Sequence, residues 1–158
     1  MMKLSPHFSL GELTKTKHQT ADGNIPSHVV IENLKRLCPW LEDLRYSYNT
    51  LYCLQPGEDY ETSKNTEPII INSGFRSPAV NLLAGGSKTS NHLSGCAVDI
   101  RCVGKEQMIR YASILLDIAD GTKQDYDELL LEQHGTVCWL HFAVRPQGNR
   151  RKIEFLKV

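Results

Sequence analysis

A long amphipathic stripe in the first third of the chain constrains its fold most strongly. Apolar side chains recur there at intervals of one, three and four residues, at Val30, Ile31, Leu34, Leu37, Leu41 and Leu44. This is the period of an α-helix with one buried face, so the pattern predicts a helix over residues 27–48. Pro39 lies inside this range and should kink or split the helix. A second stripe of the same kind predicts a helix over residues 105–119.

Short runs with β-branched or alternating apolar residues predict strands around these helices. The runs cover residues 68–72, 97–103, 128–132, 139–144 and 152–156. In the second run, Asp99 lies on the face opposite to Val98 and Ile100, because successive side chains of a strand alternate. The connections after residue 126 are short, which favours antiparallel pairing. Interspersed helices and strands of this kind predict an α+β fold.

Two shorter helices are predicted, over residues 8–13 and residues 77–84. Ser9 and Ser77 are their candidate N-caps, since serine accepts a hydrogen bond from the first turn of a helix. Residues 54–67 are polar and rich in turn-forming residues, so we expect a loop there, inserted before a strand.

The composition excludes several classes of protein. Lys plus Arg and Asp plus Glu number 18 each, so the basic excess of a nucleic-acid binder is absent. No run of apolar residues is long enough for a membrane span or for the core of an export signal. The five cysteines include no CxxC and no paired spacing, so we expect most of them to be buried thiols. The length, without repeats or a linker, predicts one domain over residues 1–158, and we expect a monomer.

The densest group of chemically useful residues is the string SNHLSGCAVD, which contains His92 and Asp99. A second string, WLH, contains His141. Two imidazoles and one carboxylate suit a catalytic zinc site that leaves a fourth position for water. Zinc lowers the pKa of such a water to about 7. Gly95 permits the turn that would bring His92 back towards Asp99.

Other interpretations of these residues stay open at this level. Asp99 could form an ion pair with Arg101 or Arg76, and both histidines could be structural. The same three ligands suit the iron of non-haem oxygenases, although those usually place the first histidine and the carboxylate two residues apart. Ser90 or Ser94 with His92 and Asp99 would make a serine hydrolase, but the GxSxG turn of such enzymes is missing.

The string SNHLSGCAVDI resembles the SxHxxGxAxD signature of the zinc D-Ala-D-Ala carboxypeptidase/dipeptidase family, the M15-like peptidases, which includes phage endolysins. WLH resembles that family's WxH segment, and SGFRSPAVNLLAGGSKTSNH resembles the stretch from its arginine strand to its first zinc histidine. The resemblance covers nearly the whole chain except the loop at 54–67, and is to the small single-domain branch. It implies Zn²⁺ bound by His92, Asp99 and His141. It also implies a hedgehog/DD-peptidase-like α+β fold with a small antiparallel sheet packed against helices.

The resemblance also implies a general base. Several members of the family carry a carboxylate three residues before the last zinc histidine, where this chain has Cys138. The branch most like this chain has an acidic residue at the end of the preceding strand, and Glu132 matches that placement. Glu128 and His134 are the other candidates for the base.

By the same resemblance, Arg76 would stabilise the oxyanion of the reaction or clamp a substrate carboxylate. Ser90 and Trp139 would contact the substrate. The implied function is zinc-dependent hydrolysis of peptidoglycan stem peptides, as a carboxypeptidase or an endopeptidase such as an endolysin. The missing export signal suits a phage or prophage lysin held in the cytoplasm until lysis. The alternative is a non-catalytic, zinc-stabilised wall-binding or virion structural module, which Cys138 keeps open.

Overall fold

The computed structural model describes residues 2–158 and combines four α-helices with two β-sheets. The helices are α1 (Leu10–Thr14), α2 (His28–Tyr52), α3 (Pro78–Leu83) and α4 (Gly104–Thr122). The strands are β1 (Lys3–Ser5), β2 (Phe8–Ser9), β3 (Ile71–Ser73), β4 (Ala97–Cys102), β5 (Glu128–His134), β6 (Val137–Ala143) and β7 (Lys152–Lys157). A 3₁₀ helix (Asn91–Ser94) precedes β4. The α+β class predicted from the sequence is confirmed.

The larger sheet is mixed, whereas the sequence predicted only antiparallel pairing. Its strand order is β3-β4-β6-β5-β7, and the first four strands pair antiparallel. β7 runs parallel to β5. The reason is that β4 and β5 already occupy both edges of β6, so the chain crosses β5 and pairs with its free edge. The small sheet joins β1 to β2.

The two faces of the larger sheet differ in polarity and in what they contact. One face contributes Val98, Ile100, Leu140 and Phe142, all 0% exposed, to a core shared with α2 and α4. The opposite face carries Asp99 and His141 and faces a cleft. The alternation predicted for the strand at 97–103 therefore separates the apolar core from the polar site.

The helix α2 continues without a break through Pro39, so the predicted split does not occur. Its apolar residues on both sides of the proline, such as Leu37 and Leu41, are fully buried. Burial of this face outweighs the one hydrogen bond that proline cannot donate. Ser9 and Ser77 cap their helices as predicted.

Two further features concern the predictions from composition. The five cysteines are free thiols, and all but Cys53 are buried. Within residues 2–158, no helix has both the length and the apolar character that crossing a bilayer demands.

We predict that Gly95→Ala destabilises the chain more than Gly148→Ala. Both glycines have left-handed backbone angles, with φ of 72° and 73°. A methyl group on Gly95 would meet Val30 Cγ1 at 2.8 Å and the Val30 carbonyl oxygen at 2.9 Å, whereas one on Gly148 meets no atom of the described chain within 4 Å. We expect the free energy of unfolding in urea to fall by about 1–2 kcal/mol for Gly148→Ala from backbone strain, and by about 2–4 kcal/mol for Gly95→Ala. Equal losses would show that the overlap at Gly95 is relieved without strain.

Candidate metal centre

Two of the three candidate metal ligands are placed by strand register. Asp99 of β4 lies directly opposite His141 of β6 in the antiparallel pair, on the face turned away from the core. Directly opposed side chains are close neighbours in such a pair. Asp99 Oδ1 is 3.1 Å from His141 Nδ1.

The third candidate, His92, comes from the 3₁₀ helix. Ser90 begins this helix and its hydroxyl accepts the His92 N–H, while Gly95 ends it in a left-handed conformation and turns the chain into β4. The His92 ring is 2.7 Å from the Gly74 carbonyl oxygen through Nδ1. A carbonyl can only accept, so Nδ1 carries a proton, and Nε2 is the ring nitrogen that lies 3.3 Å from Asp99 Oδ1.

The segment that accepts this hydrogen bond also carries Arg76. The Arg76 N–H donates to the His92 carbonyl oxygen, so His92 is held to this segment at two points. The Arg76 guanidinium donates to Asp99 Oδ2 at 3.2 Å and to the Ser73 hydroxyl at 3.0 Å. Gly74 has no side chain here because a Cβ would lie 2.2 Å from the Leu13 carbonyl oxygen.

The three donor atoms fit a metal ion. One ligand atom each from His92, Asp99 and His141 lies within 4.8 Å of the others, and the three residues are largely buried. Ligands about 2.0–2.1 Å from a tetrahedral ion lie roughly 3.3 Å apart, and the nitrogen–oxygen distances here are 3.1 and 3.3 Å. The donor set of two imidazole nitrogens and one carboxylate oxygen is one that zinc accepts.

A buried carboxylate between two imidazoles is strongly held in its charged form. Burial alone would raise the pKa of Asp99, but the charges and hydrogen bonds of His92 and His141 hold it well below its usual range. Burial would likewise lower the pKa of His141, yet its bonds to Asp99 and Glu128 raise it to about 9.

Glu128 lies behind His141, on the side away from the other donors. Its Oε1 is 3.0 Å from His141 Nε2, so a His141 that binds a metal through Nδ1 donates its other N–H to a carboxylate. Histidine ligands of metals are commonly oriented by such a partner. The hydrogen bond from His141, opposed by burial, lowers the pKa of Glu128. In this geometry Glu128 is engaged by His141, and we expect it to orient the His141 ring.

The three donors lie on the floor of a cleft of about 730 Å³. Ser90, Glu132 and Trp139 also line it, as does Arg76. Glu132 lies opposite Trp139 in the β5–β6 pair and accepts its indole N–H at 2.8 Å. Burial and then the charge of Asp99 raise the pKa of Glu132. The predicted site residues therefore meet in one cleft.

A sequence model of the family described as Peptidase M15 matches residues 58–125. This match supports the M15-like peptidase family for the chain. The matched segment is under half of the chain and contains Arg76, His92 and Asp99, but it ends before β5 and β6. It also begins inside the loop at residues 54–67, which the resemblance stated above does not cover. A search of curated proteins found no match.

M15 peptidases are metalloenzymes, so the family suggests metallopeptidase activity for this chain. The convergent donors of His92, Asp99 and His141 are the place where an M15-like peptidase would hold its metal. The serine hydrolase alternative loses its geometric basis. The Ser90 hydroxyl faces the backbone of His92, the Ser94 hydroxyl donates to the Asn91 carbonyl, and the His92 ring is engaged elsewhere.

Two positions considered for the base lie outside the cleft. Cys138 is on the core side of β6, because it is three residues from His141 and strand side chains alternate. An acidic residue there would be buried among apolar side chains. His134 lies at the exposed end of β5, where its ring meets the Val158 carbonyl oxygen, and it does not line the cleft.

A buried polar network behind His141 was not predicted from the sequence. Asn91 donates to Asp127 and Glu128 and accepts from Arg145, while Arg150 binds Asp127 through two nitrogens. Asp127 is 0% exposed. In the sequence, this network corresponds to the acidic pair Asp127 and Glu128 at the start of β5 and to the arginines that follow β6.

We predict that Glu128→Gln weakens zinc binding about 10- to 100-fold, because the amide is a poorer acceptor for the His141 N–H. Glu132→Gln, in the same strand and cleft, should leave zinc affinity nearly unchanged. Competition against a chromophoric chelator gives the zinc dissociation constant of each variant. Equal losses in the two variants would contradict the distinction, since they would point to general charge around the site.

Proposed function

We propose that this chain hydrolyses peptide bonds in the stem peptides of bacterial peptidoglycan, with Zn²⁺ held by His92, Asp99 and His141. The observation that carries the proposal is the convergence of these three donors in a cleft that also holds a separate carboxylate, Glu132. The resemblance of the two ligand strings to zinc D-Ala-D-Ala peptidases supports the choice of substrate. Release to the wall during lysis and the single domain over residues 1–158 remain predictions from the sequence.

When bound, zinc supplies Lewis acidity to the scissile carbonyl and to water. Within the chain, Glu132 is the proposed general base. Trp139 holds its Oε2, and its Oε1 has no hydrogen bond within residues 2–158, so one oxygen remains available for a proton. Glu132 would take a proton from the attacking water and pass it to the leaving amine.

Arg76 is the proposed group for the charge that develops on the carbonyl oxygen. Ser73 and Asp99 fix its Nε and Nη2, which leaves Nη1 as a preorganised donor at the wall of the cleft. Fixed donors of this kind stabilise the transition state more than the bound substrate. Ser90 and Trp139, which also line the cleft, are the proposed substrate contacts.

A non-catalytic zinc module is the competing proposal. The observation that suggested it is the absence of an acidic residue at position 138, where the chain has Cys138. That position faces the core in this fold, so a cysteine there does not deprive the cleft of a carboxylate. The two proposals differ in one measurable respect: both predict zinc binding, but only the first predicts hydrolysis of peptidoglycan fragments.

We predict that Glu132→Gln lowers the rate of hydrolysis of soluble peptidoglycan fragments by about 10²- to 10⁴-fold, the usual contribution of a general base. Zinc content by elemental mass spectrometry should stay at the parent level. Products are identified by mass spectrometry, which also assigns the bond that is cut. Glu154→Gln is the matched control, since Glu154 lies on the neighbouring strand and does not line the cleft. A fully active Glu132→Gln would exclude Glu132 as the base, and a zinc-loaded parent without activity would favour the non-catalytic module.

A further inference from the structure

A second lobe of the cleft lies beside Arg76 and is not used by the proposed reaction. It encloses about 660 Å³ and is lined by residues 15–18 after α1, by Asn72 and Ser73 of β3, and by α3. Arg76 and Ala84 line both lobes, so the two cavities meet at these residues. Arg76 itself contacts Asp99, so one side chain separates the second lobe from the candidate metal ligands.

Two lysines, Lys15 and Lys17, and Arg76 line the second lobe, and none of its lining residues is acidic. The lysine ion pairs within residues 2–158 are those of Lys35 and Lys152, so neither Lys15 nor Lys17 is neutralised. A concave surface with charges of one sign attracts the opposite charge.

The first lobe is the cleft that contains the candidate metal ligands, and its arginines have acidic partners. Its arginines Arg145 and Arg150 are paired with the buried Asp127, and Arg150 also lies near Glu128. Those cations are compensated within the chain. Arg76 is likewise paired with Asp99, so the cations of the second lobe that have no acidic partner within residues 2–158 are Lys15 and Lys17.

We propose that the second lobe is a subsite for a free carboxylate of the substrate peptide, bound by Lys15 and Lys17 beside Arg76. The proposal rests on the proposed function, because stem peptides carry free carboxylates along their length. An extended peptide advances about 3.3–3.6 Å per residue, so a carboxylate one or two residues from the scissile bond reaches past Arg76. Val80 and Leu83 supply an apolar wall for the aliphatic part of the same residue.

The test compares two forms of one ligand on the zinc-loaded Glu132→Gln chain. The ligands are a synthetic stem tetrapeptide with free carboxylates and the same peptide with its carboxylates amidated, and calorimetry gives both dissociation constants. We expect the carboxylate form to bind more tightly. The double variant Lys15→Gln/Lys17→Gln should reduce this preference about three- to tenfold, since each exposed ion pair contributes modestly. The preference should also fall with added salt.

Lys35→Gln/Lys64→Gln removes the same charge outside the lobe and should keep the preference. A preference that survives in Lys15→Gln/Lys17→Gln, or is absent in the parent, overturns the subsite. Binding of neither peptide overturns it as well. A Lys15→Gln/Lys17→Gln chain that loses affinity only for a glycerol-phosphate polymer would assign the lobe to phosphate instead. If the parent shows the preference but hydrolyses no fragment, the subsite stands and the proposed hydrolysis fails.

Discussion

The antiparallel register between β4 and β6 is the constraint on which the site depends. It sets Asp99 opposite His141, and a slip of either strand by one residue would turn the ligand of that strand into the core. The residues that hold the register are on the other face, where Ile100 and Leu140 are opposite each other and fully buried. The apolar core therefore determines the geometry of the polar site, although it contributes no ligand.

The burial of Asp99 requires charged and hydrogen-bonding partners, and those partners in turn require partners of their own. A carboxylate removed from water must be paired and hydrogen-bonded. Asp99 meets His92, His141 and Arg76, and His141 in turn needs Glu128 on its other side. The charges therefore alternate outward from Asp99: His141 is followed by Glu128, and Arg150 lies near both Glu128 and Asp127. A divalent cation at the centre would add positive charge where carboxylates already face inward.

The parts of the fold that could be predicted are those set by local pattern. The α2 stripe, the caps at Ser9 and Ser77 and the alternation around Asp99 each depend on residues close in sequence, and each is found in the structure. The candidate ligands lie in two short strings, so resemblance was enough to select them.

The remaining features depend on pairing between distant segments. The parallel position of β7 follows from which sheet edge is free, and the start of β3 at Ile71 follows from its partner in β4. The contact of Glu128 with His141 depends on the orientation of the His141 ring, which places Nδ1 at Asp99 and Nε2 at Glu128. The second lobe brings residues 15–18 next to Arg76, a proximity that neither segment encodes alone.

Strand alternation also explains why the proposed base comes from β5. In an extended β6, a residue three positions before His141 faces the core, whereas Trp139, two positions before it, shares its face. A carboxylate for the cleft must then come from the neighbouring strand, and Glu132 is the residue opposite Trp139. The tryptophan of the WxH string consequently has a physical role, because its indole N–H fixes the carboxylate at the edge of the metal centre. The departure at Cys138 and the placement of Glu132 are two results of the same geometry.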